Sequence, residues 1–210
     1  MLDERVLSVL RDDMSIDIEH LMSKLRSSSM SRYTNESLDI LEFFVTSLGC
    51  KNPKDKINHV AKKYEDTISD GEFETFIDSM RHAFVAFSQG GLHDLFLYQE
   101  NQAWYPKVRL KQVLNPNDIH SLNEVITLYR GCDIYENNNG KYGQSWSTSE
   151  DVSREFAFVH YSSEVWFNRT SRCVLKATLH RDNVYYSDQK KHEREVVVDT
   201  TKLMGVQVCA

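Results

Sequence analysis

The chain has 210 residues, 40% hydrophobic and 27% charged, with a formal net charge of −6. That composition excludes a disordered chain and fits a globular protein that buries a real core. The acidic balance argues against a broad nucleic-acid or anionic-lipid surface, with Lys190 and Lys191 as a local basic exception, and favours small-molecule or protein partners.

The opening MLDERVLSVLRDD is acidic and amphipathic and lacks the basic and apolar regions of a signal peptide. No later run approaches the roughly 18 apolar residues of a membrane span, so a cytoplasmic protein with no membrane partner is expected. Cys50, Cys132, Cys173 and Cys209 form no C-x-x-C pair and the histidines show no ligand spacing, which predicts reduced thiols and no metal.

Helical periodicity then runs through the first 91 residues. Leu2, Val6, Val9 and Leu10 share one face, and Ile18, Leu21, Met22 and Leu25 follow behind Ser15 as a cap. The polar SSSMSRYTN breaks the pattern. A third helix carries Leu38, Leu41, Phe44, Val45 and Leu48 and stops at Gly49, with Pro53 beyond. A fourth carries Ile57, Val60, Ala61, Tyr64 and Ile68 and closes at Asp70-Gly71. The stripe Phe73, Phe76, Ile77, Met80, Ala83, Phe84 and Phe87 predicts a core helix ending before Gly90-Gly91.

From residue 92 onward LHDLFLY is too short and too apolar for periodicity to assign. Short β-rich segments then predict a second region, 92–210: VITLYR, SWSTS, CVLKATLH, VYYS, EVVVD and VQV. The polar ENNNGKYG reads as a turn between the first two. One helix starts near Ser149, with Glu150 and Asp151 in its first turn and Val152, Phe156 and Val159 turned inward. With no clear linker, the helical half is expected to pack onto the sheet half.

Three motifs carry chemistry. In LYRG, Arg130 ends an apolar strand and offers a planar charged fork for a phosphate or carboxylate, while Gly131 permits close backbone approach. A surface arginine at a strand end is the plain alternative. In SWSTS, Ser147 and Ser149 share a strand face and can hold a sugar or another side chain, or serve as an ordinary strand end and helix cap. In EREVVVD, alternation puts Glu193 and Glu195 on one face, where they either guard a strand end or act as a catalytic pair.

Taken in order, Arg130, the Ser-Thr-Ser entering a helix with REFAF, and Glu193-x-Glu195 resemble the Arg-Ser-Glu class of mono-ADP-ribosyltransferases, including toxin-like and phage-encoded members. The resemblance covers about residues 125–208. It implies a split two-sheet ADP-ribosyltransferase-like core binding NAD between the sheets; with the helical N-terminal half, which carries no signature of that family, the fold class expected is α+β. It further implies that Arg130 contacts the phosphate or adjoining ribose of NAD and that the Gly131 backbone holds the nicotinamide amide. Ser147 would bond the ribose or orient the catalytic glutamate, with Thr148 beside it among the NAD-binding positions, and Phe156, or in second place Phe158, would stack on the nicotinamide, although the helical spacing of Phe156 alone reads as a core residue. Glu195 would stabilise the oxocarbenium character of the ribose, and Glu193 would serve an arginine acceptor on a target protein. An NAD glycohydrolase and a non-catalytic module of the same fold are the rival readings, and nucleic acid is the less favoured acceptor. For a phage-encoded enzyme the site of action would be the host cytoplasm.

Overall fold

Asp3 accepts a hydrogen bond from the Arg5 amide and starts the first helix, α1 (Glu4–Ser8), which widens into a π-helical turn over Val9–Asp13. The computed structural model describes residues 2–99 and 104–210 and divides into two compact units, Met1–Arg109 and Leu110–Ala210. The boundary expected at 91/92 thus falls at 109/110.

In the first unit α2 (Ile18–Leu25) is capped by Asp17, whose Oδ1 accepts from the His20 amide at 3.0 Å. Ser15, the expected cap, instead adopts a left-handed φ of 53°. The helices α3 (Thr34–Leu48) and α4 (Pro53–Glu65) follow, with Pro53 opening α4 where its missing N–H has no helical partner to lose. Next comes α5 (Gly71–Leu97), capped by Asp70. It breaks at Gly90 and Gly91, where φ reaches 64°, and then resumes, so LHDLFLY is largely helical. Phe44, Phe73, Phe76 and Phe84 are fully buried, each worth about 1.5–3 kcal/mol of transfer free energy.

The second unit is a six-stranded antiparallel sheet with two α-helices among its described residues, α6 (Ile134–Asn139) and α7 (Glu150–Phe158). The strands are β1 (Val125–Asp133), β2 (Ser145–Ser147), β3 (Arg172–His180), β4 (Val184–Asp188), β5 (Glu195–Val198) and β6 (Met204–Val208), ordered β4-β5-β2-β1-β3-β6. One face carries Ile126, Leu128, Cys132, Trp146, Leu175, Leu179, Val196 and Val198 in a common core. α6 replaces the expected ENNNGKYG turn: Asp133 caps its start and Gly140, at φ 62°, ends it.

The two sheets implied by the resemblance are one hydrogen-bonded sheet here. At its middle, however, β1 and β2 meet at a single pair, Tyr129 with Ser147. The helix α7 lies against β1 at Gly131, where a Cβ would come within 2.1 Å of the Ser153 carbonyl and 2.5 Å of the Ala157 amide nitrogen. That seat leaves no room for any side chain, so Gly131 is required by helix packing. α7 buries Val152, Ser153 and Ala157; Val159, expected inward, is exposed, and Phe156 is half-buried. No described helix is long and apolar enough to cross a membrane.

Candidate active site

The parting of β1 and β2 determines the site. Val174, paired with Gly131, donates its amide to the Ala210 carbonyl at 2.7 Å and accepts from the Cys209 amide at 2.9 Å. Its peptide groups therefore face β6, and antiparallel alternation turns the N–H and C=O of Gly131 the opposite way, toward β2. Continued register would set Ser145 opposite Gly131. The strands have already separated there, and the Ser145 carbonyl accepts from Arg130 Nη1 at 2.6 Å instead.

A cavity of about 300 Å³ enters this opening, lined by Tyr129, Arg130, Gly131, Cys132 and Glu136 on one side and Ser145, Trp146, Ser147, Glu193 and Glu195 on the other. Ser153, Phe156, Tyr161 and Arg172 complete the lining. Of the predicted site residues, Arg130, Gly131, Ser147, Phe156, Glu193 and Glu195 come together here. Thr148 does not: it lies just past the end of β2, is absent from the lining, and its hydroxyl donates to Gln189 Oε1 at 2.7 Å.

Arg130 is already engaged. Its Nε and Nη2 donate to the two carboxylate oxygens of Glu136 at 2.9 and 2.8 Å. Burial opposes the guanidinium charge, but the hydrogen bond and negative charge of Glu136 prevail and hold its pKa above the ordinary value. Gly143 completes the clamp. Its amide donates to Glu136 Oε2 at 2.9 Å, and a Cβ there would lie 2.3 Å from Arg130 Nη2. Three of the five guanidinium donors are thus used for architecture, leaving two.

The serine that meets the glutamate is Ser145, not Ser147. Ser145 Oγ donates to Glu195 Oε1 at 2.5 Å, diagonally across the ladder in which Ser147 faces Glu195. Ser147 is buried; its hydroxyl donates to the Glu193 carbonyl at 2.8 Å and accepts from the Ser149 amide at 3.0 Å. It fixes the main chain that carries the acids. Ser149 caps α7 as expected, accepting from the Val152 amide.

Glu193 and Glu195 reach the cavity by a route that strand alternation does not supply. β5 begins at Glu195, Glu193 lies in the preceding turn, and Arg194 between them has a left-handed φ of 45°. Burial raises the Glu195 pKa above the usual carboxylate range; the Ser145 hydrogen bond opposes that shift and the nearby charge of Glu193 adds to it. Cys132 is no reactive thiolate. Burial, aided by Glu136 and Cys173, pushes its thiol far above the ordinary value, and its sulfur lies 4.0 Å from that of Cys173.

Comparison with protein-family models, curated proteins and solved structures found no match. The site must therefore be read from its own geometry.

Sequence reasoning missed Ser145, Glu136 and Arg172. Ser145 opens SWSTS, two residues before Ser147, and Glu136 sits in ENNNG, whose polarity reads as a turn. For Arg172, directly before an apolar strand, only its charge gave a signal.

Proposed function

We propose that this chain is an NAD-dependent mono-ADP-ribosyltransferase that modifies a guanidinium group of a protein acceptor. The observation that carries this reading is the meeting, in one cavity, of the Glu193–Glu195 pair with the main chain of Gly131. One residue's N–H and C=O match the acceptor and donor of a primary carboxamide such as that of nicotinamide. The Phe156 ring, on the α7 side of the cavity, suits an aromatic leaving group.

Reaction breaks the bond between nicotinamide nitrogen and ribose C1′, whose electron pair leaves with nicotinamide, and forms a bond from C1′ to an acceptor nitrogen. Glu195, held by Ser145, stabilises the positive charge that develops on the ribose, a kind of preorganisation worth several kcal/mol. Glu193, exposed at the cavity mouth, pairs with the incoming guanidinium and takes its proton. Arg130 frames the opening through Glu136 and Ser145.

The test is to incubate the protein with labelled NAD and a small guanidine, measuring nicotinamide release and guanidine labelling side by side. Wild type should do both, and Glu193→Gln should lose labelling while slow nicotinamide release persists. Release without labelling in the wild type would instead identify a glycohydrolase. Neither activity in the wild type would sink both.

A further inference from the structure

The cavity holds two arginines whose charges are balanced in opposite ways. Arg130 is neutralised by a two-point ion pair with Glu136. Arg172, the first residue of β3, has no such partner: among the described residues no carboxylate lies within ion-pair distance of it. Its Cα partner Asp133 has one carboxylate oxygen accepting from the Tyr135 amide and the other from the Ser171 hydroxyl, each at 2.9 Å.

Arg172 is nonetheless held in place. Its Nε donates to the Ala157 carbonyl at 3.2 Å and its Nη2 to the Phe156 carbonyl at 3.4 Å. Those carbonyls close the C-terminal end of α7, the negative pole of the helix, so they orient the guanidinium without cancelling its charge. Two of its five N–H donors are used and three remain. Phe156 gives its ring to the cavity and its carbonyl to Arg172, which sets an anion on Arg172 beside a ligand ring stacked on Phe156.

We infer that Arg172, rather than Arg130, binds the pyrophosphate of the dinucleotide. This rests on the reading of the cavity as an NAD site. A volume of about 300 Å³ accommodates the nicotinamide and its ribose but not the whole dinucleotide, so the phosphates fall at the rim. Arg172 is a half-buried, preorganised cation of the lining with no competing carboxylate, which suits a phosphate, whereas an anion approaching Arg130 has to contend with Glu136 for the same fork.

Calorimetry of the full chain with NAD, ADP-ribose and nicotinamide riboside tests the assignment. Arg172→Gln should weaken NAD and ADP-ribose by about ten- to hundredfold, the loss expected for a charge-assisted hydrogen bond, and leave phosphate-free nicotinamide riboside unchanged. Arg172→Lys, which keeps the charge, should fall between and guards against a Gln variant that melts early. Wild-type ADP-ribose affinity in both variants would overturn the inference, as would an equal loss for nicotinamide riboside, which marks a role confined to holding α7. A wild type that binds none of the three removes the NAD reading itself, and the inference with it.

Discussion

The two units bury their polar side chains in different ways. In the helical unit the buried hydroxyls of Ser47 and Ser79 donate to the carbonyls of Phe43 and Thr75, four residues back on their own helices. In the sheet unit the buried Ser153 does the same within α7, but other polar side chains bond across long stretches of chain: buried Ser147 to the Glu193 carbonyl, exposed Ser145 to Glu195, and half-buried Gln144 to the Leu110 and Val198 carbonyls. Local bonding satisfies a polar group where it stands and leaves stability to apolar packing. Long-range bonding fixes where distant segments meet, and here they meet around a cavity.

The contrast can be broken first in the helical unit. Phe76→Ala removes a fully buried ring that meets Trp104 edge-on at 5.7 Å, and should cost about 3–5 kcal/mol in chemical denaturation. A cost below 1 kcal/mol would mean that packing is not what holds this unit.

In the sheet unit the largest change should appear in activity rather than stability. Glu195→Gln should lower nicotinamide release at least about a hundredfold, the scale of one preorganised electrostatic group. Its stability should move the other way. Because burial raises the folded-state pKa of Glu195, the wild type loses stability as pH rises from the unfolded value near 4.3 through the folded one. The Gln variant should therefore melt higher than wild type near neutral pH, with the gap closing below about pH 4. A Gln variant that melts lower at neutral pH would contradict the burial argument.

Glu136→Gln tests whether the Arg130 clamp is structural. It leaves a guanidinium about 21% exposed without its carboxylate, and should cost about 2 kcal/mol, less than for a fully buried pair because some solvent reaches it. Arg130→Lys combined with Glu136→Gln should then be less than additive. Full additivity in the four-variant cycle would show that the pair is not coupled. The smallest effect belongs to Ser79→Ala, within about 0.5 kcal/mol of wild type, since its bond to Thr75 supplements one that the helix already makes.

Much of the fold is written locally and could be read. β-branched runs such as Val196, Val197 and Val198 mark strands, and the stripe from Phe73 to Phe84 marks a core helix, because each depends on neighbours within a few residues. Caps were harder: Ser15 and Asp17 both suit the start of α2, and only the backbone path chooses. The cavity was read in part. Glu193 and Glu195 stood out as charges against valines, but which serine of SWSTS reaches Glu195 depends on the register of β2 on β5, set by pairings some 50 residues apart in sequence. Glu136 was invisible for a similar reason, since nothing in ENNNG announces an arginine on the strand behind it. In sequence Gly131 suggests close approach of a ligand, whereas the atoms that crowd it belong to Ser153 and Ala157.

The single pair between Tyr129 and Ser147 makes the sheet two three-stranded blades, β4-β5-β2 and β1-β3-β6, hinged at one point. In an ordinary sheet the central strands exchange their amide hydrogens with solvent most slowly and the edges fastest. Here that order should be inverted at the centre: the Gly131 amide, turned into the opening, should take up deuterium ahead of its neighbours in β1 that face β3, and slow down when the cavity fills.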